Sequence, residues 1–134
     1  MIKIVILVFA GGAVGAVLRE FAMLTVPNLT HGFPLDILVA NLLAAFMLGF
    51  VTGLHDRRAV SDAVNSLIGT GLTGGLSTFS SFAYGSTVLA TASTQGTLVA
   101  FAYVVTSLVL GYAAVIVGRK LGADPHSVRR DRIN

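Results

Sequence analysis

Cysteine is absent from the 134 residues, and charged side chains make up only 11% of them. The first absence excludes a disulfide framework and thiolate metal sites, and it leaves the redox compartment open. The second separates the chain from soluble domains, where roughly 25% of residues are charged. Histidine, aspartate and glutamate nowhere gather at metal-ligand spacing, no activated nucleophile stands out, and there is no phosphate-binding loop. Catalysis is therefore not expected. Lysine and arginine exceed aspartate and glutamate by nine to six, but the excess collects at the C-terminal end rather than on one helix face or among aromatics. That arrangement gives no indication of nucleic-acid binding.

What the chain has in quantity is apolar surface: 54% of residues are hydrophobic and the mean hydropathy is +0.84. A spanning helix needs about 20 apolar residues, so this length accommodates four spans with short loops and no separate soluble domain. The fold class read from this is an all-α membrane protein, one domain over residues 1–134, embedded in a lipid bilayer. The spans fall at about 2–23, 35–54, 63–90 and 97–117, followed by a polar, flexible tail over 119–134. Lys3 followed by an apolar run imitates a signal peptide, but the first span of a polytopic protein looks the same, and a span is the reading adopted.

The third segment is unlike the others. Gly69 to Tyr84 reads GTGLTGGLSTFSSFAY, with Gly69, Gly71, Gly74 and Gly75 followed by a run of hydroxyl and phenyl side chains from Ser77 to Phe82. Glycine weakens helix interiors, and consecutive serine and threonine compete for the backbone's own hydrogen bonds. The stretch predicts a helix that breaks near 74–78 and restarts. Irregular backbone at membrane depth is tolerated only where it is buried in protein or lines a watery cavity, so the break is where function is sought.

The remaining polar groups are few. Asn41 is the polar side chain that looks buried in the second segment. It needs a partner on another helix, on another subunit or in water. Tyr103 and Ser107 are four apart on the fourth segment and share a face. Arg19 lies near the end of the first span, where it either snorkels to the headgroups or stands at a pore mouth. His31 reads as a solvated loop residue. Glu20 is the one carboxylate placed at a span's edge, so the chain lacks the embedded acid that proton coupling requires. Hydroxyls and amides donate hydrogen bonds without adding negative charge. Phe79 and Phe82, three apart on the restarted helix, turn to one side, and a phenyl ring has a positive edge. Such a pair is either core packing or a lining suited to a small, hard anion.

Three stretches carry a resemblance. GGxxGAxxR at Gly11 to Arg19, LVANLLAAFMLG around Asn41, and GTGLTGGLSTFSSF at Gly69 to Phe82 resemble the signature stretches of the Fluc/CrcB family of bacterial fluoride ion channels. The likeness runs through all four segments in order. It implies an antiparallel, dual-topology homodimer of four-helix subunits in the bacterial inner membrane, with two fluoride pores and a structural Na+ ion at the dimer interface. By position it implies that Phe79, Phe82 and Asn41 face the pore, with Ser81 between the rings, Tyr103 and Ser107 starting a polar track, and Arg19 near the vestibule. The backbone carbonyls of Gly74 and Ser77 fall where the family holds sodium. Gly111 stands where some relatives continue the polar track with serine, and Gly85 where some carry a vestibule glutamate.

Two other readings compete with passive fluoride export. One is a small dual-topology, proton-coupled multidrug exporter; the other is a membrane subunit without transport of its own. Basic residues favour one orientation: Lys3, Arg57, Arg58 and the tail share a side, with Arg19 alone near the other. The antiparallel dimer implied by the resemblance needs both orientations.

Overall fold

The computed structural model describes residues 1–27 and 33–123. His31 and the tail beyond Ala123 lie outside the described residues. Helix α1 spans Ile2–Thr25 and α2 spans Leu35–Asp56. Pro34 precedes α2, and Asp36 occupies its first turn, where a carboxylate suits the positive end of the helix dipole. The connector that follows is fastened by a His55–Asp62 pair at 2.8 Å and turns through Arg58 at φ 58°.

From Asp62 the backbone stays helical but changes pitch. Helix α3 covers Asp62–Val64, with the Ser61 side chain accepting from the Val64 N–H. A π-helical segment then covers Asn65–Leu72, and α4 covers Thr73–Leu76. Ser77 and Thr78 are both extended, at ψ 151° and ψ 107°. Helix α5 resumes at Phe79 and runs to Ala92; Ser93 alone separates it from α6, Thr94–Gly122. Ser93 accepts from the Gly96 N–H at 2.9 Å, which caps α6 at its first turn.

Among the described residues three helices, α1, α2 and α6, are long and apolar enough to cross a membrane. The glycine and hydroxyl run divides the stretch between α2 and α6 into shorter pieces. Two boundaries differ from the hydropathy reading. The turn expected over 91–96 narrows to Ser93, because the serine cap lets α6 begin at once. At the other end α6 continues past Gly118 to Gly122, because its contact with α2 outlasts its apolar window, and Arg119 there pairs with Asp56 at 2.9 Å.

Two helix pairs organise the packing, α2 with α6 and α1 with the π segment and α4. Both use glycines four residues apart. A Cβ on Gly49 or Gly53 would collide with the carbonyls of Val115 and Arg119, and one on Gly118 or Gly122 with those of Phe46 and Phe50. Gly11 and Gly15 meet the carbonyls of Leu67 and Leu72 in the same way, and Gly75 meets that of Gly12. Backbones therefore approach at distances only glycine permits, which is how helices associate where burial of apolar surface drives little. The outward faces of α1 and α6 remain apolar, with Phe9, Phe21, Leu98 and Phe101 exposed.

Replacing a contact glycine should overpack these seams. Gly15→Val and Gly118→Val are each expected to destabilise the fold by about 1–3 kcal/mol, read as a lower denaturation midpoint in detergent. Gly111 has no neighbour within 4 Å of an added Cβ, so Gly111→Ala should leave the midpoint unchanged or raise it.

Candidate functional site

Thr78 is the hub of the extended link. It is buried, and its backbone is held by one side chain from α2: the Thr78 N–H donates to Asn41 Oδ1 at 2.7 Å, and Asn41 Nδ2 donates to the Thr78 carbonyl at 3.3 Å. The amide thus imitates a neighbouring strand. The Thr78 hydroxyl caps α5 by accepting from the Ser81 N–H at 3.2 Å, and it lies 3.0 Å from Ser81 Oγ.

These bonds redirect two donors. In a continuous α-helix the Thr78 N–H would serve the Gly74 carbonyl and the Ser81 N–H that of Ser77. Here both N–H groups go to side-chain oxygens. The carbonyls of Gly74 and Ser77 lose their usual donors, while the intervening Gly75 carbonyl accepts from Arg19 Nη1 at 3.3 Å. Arg19 also lies 3.4 Å from Glu20, so it reaches inward to the break as well as to its neighbour. Just before the break, the buried Thr73 hydroxyl donates to the Gly69 carbonyl, inside the last turn of the π segment.

An open cavity of about 620 Å³ lies against this link, and Asn41, Gly74, Ser77, Phe79 and Phe82 all border it. Gly74 and Ser77 are exposed there, and nothing lies within 4 Å of a Cβ on Gly74. From the cavity a series of rings leads inward. Phe79, 80% exposed, lies 6.0 Å from Phe82; Phe82 lies 5.3 Å from Tyr103, which is fully buried; and Phe33 meets Tyr103 edge-on at 5.3 Å. The expectation that Phe79 and Phe82 turn together matches this geometry, and Tyr103 joins them from α6.

Of the other candidates, Ser81 is half-buried and turned to Thr78, and Ser107 has a buried Oγ with no hydrogen bond among the described residues. Arg19, Tyr103 and Ser107 do not border the open cavity. Gly85 packs on Pro34, whose Cγ would be 3.3 Å from an added Cβ, so a larger side chain there would press on the start of α2.

Two residues were missed in the sequence. Thr78 looked like one hydroxyl among several; only its N-cap position, three residues before Ser81, could have distinguished it. Asp36 is 7% exposed with Oδ1 unpartnered among the described residues. The chain therefore does bury a carboxylate, contrary to the expectation that Glu20 alone stood near a span. An acid one residue after a Pro-Leu start reads as an ordinary first-turn residue, which hid it.

Residues 6–119 match the model of a family described as CrcB-like protein, camphor resistance (CrcB). The chain belongs to the CrcB-like family. Among relatives of this CrcB-like chain, the "Fluoride-specific ion channel FluC 2" of Brucella melitensis is 61% identical over 91% of the chain and 45% of the relative. The chain thus spans about half the length of that Brucella protein. "Fluoride-specific ion channel FluC 3" of Yersinia pseudotuberculosis is 48% identical over 91% of the chain and 90% of the relative, and "Fluoride-specific ion channel FluC" of Deinococcus radiodurans is 40% identical over 84% and 90%.

Asn41→Leu in the CrcB-like chain would strand the Thr78 N–H and carbonyl. Leaving a buried polar group unpaired costs about 1–3 kcal/mol, so amide exchange over residues 77–81 should quicken by roughly tenfold to a hundredfold while α1 and α6 are unaffected. Hydrogen–deuterium exchange by mass spectrometry reads both regions at once.

Proposed function

We propose that this chain is a fluoride-selective channel that exports fluoride passively, and that it acts as an antiparallel homodimer with two pores. The stretch from Asp62 to Ala92 would serve as the fourth span, with its irregular backbone at the membrane's interior. The observation that carries the reading is the joining of Asn41, Phe79 and Phe82 at one open cavity, a lining that offers amide donors and ring edges but no negative charge. Relatives of nearly the same length bear the fluoride channel name. In this reading the anion passes from the cavity along the ring series, and the Tyr103 and Ser107 hydroxyls continue its hydrogen bonding. Ser81 contributes from α5, and Arg19 supplies positive charge near the break.

A structural Na+ ion fits the redirected hydrogen bonds. The Gly74 and Ser77 carbonyls are neutral oxygen ligands for a hard cation. A second copy placed about a two-fold axis at the exposed Gly74 face would double their number to four. Bound there, the ion supplies positive charge and compensates the carbonyls, while Asn41 holds the backbone that presents them. Neither orientation of the basic residues is then excluded, since the two copies insert oppositely.

The proton-coupled exporter receives no support from the relatives' names. Its exclusion rests on the family rather than on a missing acid, because Asp36 is buried. The chain is not an enzyme on this reading, since the family's members named above are channels.

In liposomes containing only this protein, fluoride should leave rapidly and chloride should be retained; equal efflux of the two ions would sink the proposal. Phe79→Ile and Phe82→Ile keep bulk but remove the ring edge, and each should lower fluoride efflux at least tenfold with the dimer intact. Asn41→Asp should impair it as well. Wild-type rates in all three would return these residues to ordinary packing. Removing sodium from both sides should slow efflux, whereas a sodium gradient should not drive it.

A further inference from the structure

The hydroxyls of α5 are used in two ways. Ser86, Thr87 and Thr91 each donate to the carbonyl four residues back, those of Phe82, Ala83 and Thr87, at 2.7, 2.9 and 2.9 Å. That local bond is the ordinary use of a helical hydroxyl. Ser81 departs from it. The carbonyl four residues back belongs to the extended Ser77, and Ser81 Oγ instead accepts from the Thr78 hydroxyl at 3.0 Å. A threonine hydroxyl has one proton and two lone pairs. In Thr78 the proton goes to Ser81 Oγ, a lone pair accepts the Ser81 N–H at 3.2 Å, and Ser80 Oγ at 3.3 Å is the longest of these contacts. Thr78 has little freedom to turn away. It is 6% exposed, Asn41 holds its N–H and its carbonyl, and a β-branched side chain is stiff at its first torsion.

We propose that Thr78 is a positioning residue for the anion and that it acts through Ser81. A hydroxyl that already accepts from one neighbour, and that is not drawn to the carbonyl four residues back, keeps its own proton for a ligand. Ser81, half-buried and next to Phe82 in the chain, therefore offers a passing anion a donor. The bond from Thr78 also strengthens that donor, because hydrogen bonds in a chain polarise one another. The order of action runs from Asn41, which fixes the Thr78 backbone, to the Thr78 hydroxyl, which fixes Ser81 Oγ, and from there to the anion. Neither Asn41 nor Thr78 has to touch the ion to affect its passage in this way. The proposal rests on the fluoride reading, in which Ser81 belongs to the pathway.

The test is a double-mutant cycle on the full chain, read as fluoride efflux from liposomes. Thr78→Val removes the donor at nearly constant volume, and Ser81→Ala removes the hydroxyl that it orients. Each should slow efflux about three- to tenfold, the net worth of one hydrogen bond. The double variant should be no slower than the slower single one, since both changes remove the same donor. Capping is separated by the same cycle. The backbone N–H at position 81 survives Ser81→Ala, so a loss caused by the missing cap would persist in the double variant and the two effects would multiply. Thr78→Ser, which keeps the hydroxyl, should hold the wild-type rate. If Thr78→Val does not fold, Thr78→Ala completes the cycle. Losses that multiply, a wild-type rate in Thr78→Val, or a Thr78→Ser rate as low as that of Thr78→Val would each overturn the role of Thr78 while leaving the fluoride reading intact. A wild-type protein that releases no fluoride defeats the fluoride reading itself, and this proposal with it.

Discussion

The paired hydrogen bonds between the Asn41 side chain and the Thr78 backbone are the constraint on which the site depends. Two extended residues, Ser77 and the buried Thr78, interrupt a helical path, and leaving a buried polar group unpaired costs about 1–3 kcal/mol. One amide meets both backbone groups of Thr78. Because it does so, the Thr78 N–H is lost to Gly74, and because the Thr78 hydroxyl caps α5, the Ser81 N–H is lost to Ser77. The same bonds that stabilise the break thus withhold the Thr78 and Ser81 N–H groups from the Gly74 and Ser77 carbonyls. Asparagine suits the task because it carries one donor and one acceptor on a short stem. Aspartate retains the acceptor for the N–H but has no donor for the carbonyl.

The rest of the fold brings Asn41 and Thr78 to that meeting. Glycine seams set α2 against α6 and α1 against the π segment and α4 at backbone contact, leaving little freedom for sliding. The π segment has a wider turn than an α-helix, and such segments often accompany functional sites. Here it ends directly before α4 and the break, with the Thr73 hydroxyl bonded to the Gly69 carbonyl. Downstream, the capped start of α5 fixes the direction of Phe79 and Phe82, and Tyr103 meets Phe82 from α6. Backbone geometry, ring series and open cavity are consequences of one arrangement of four elements.

Much of this was legible in the residues themselves. Glycines followed by hydroxyls and phenyls marked where the backbone turns extended, and i, i+3 spacing placed the two phenylalanines together. Hydropathy marked four spans; three of them, α1, α2 and α6, are long and apolar enough to cross a membrane, and the stretch over 63–90 is instead a series of shorter helical pieces. Asn41 stood out as a polar group that required a partner, though its partner did not, because a side chain bonded to backbone thirty-seven residues away leaves no local pattern. The π pitch was equally hidden, since no residue type specifies it. Asp36 escaped notice because first-turn acids are common and burial is a property of what surrounds them. Arg19 looked like a headgroup-seeking residue or a mouth residue; its contact with the Gly75 carbonyl depends on the α1 seam, which places that helix within reach of α4.

The central claim is that an uncharged lining of amide and ring edges, held in place by Asn41, passes fluoride in preference to other anions. Its most direct test is the reversal potential in a planar bilayer with a tenfold fluoride gradient and equal chloride on both sides. A fluoride-selective pathway should reverse at about 59 mV in magnitude, the value for a singly charged ion, with the sign set by fluoride. Reversal near zero would show that chloride carries the current, and the account would be wrong.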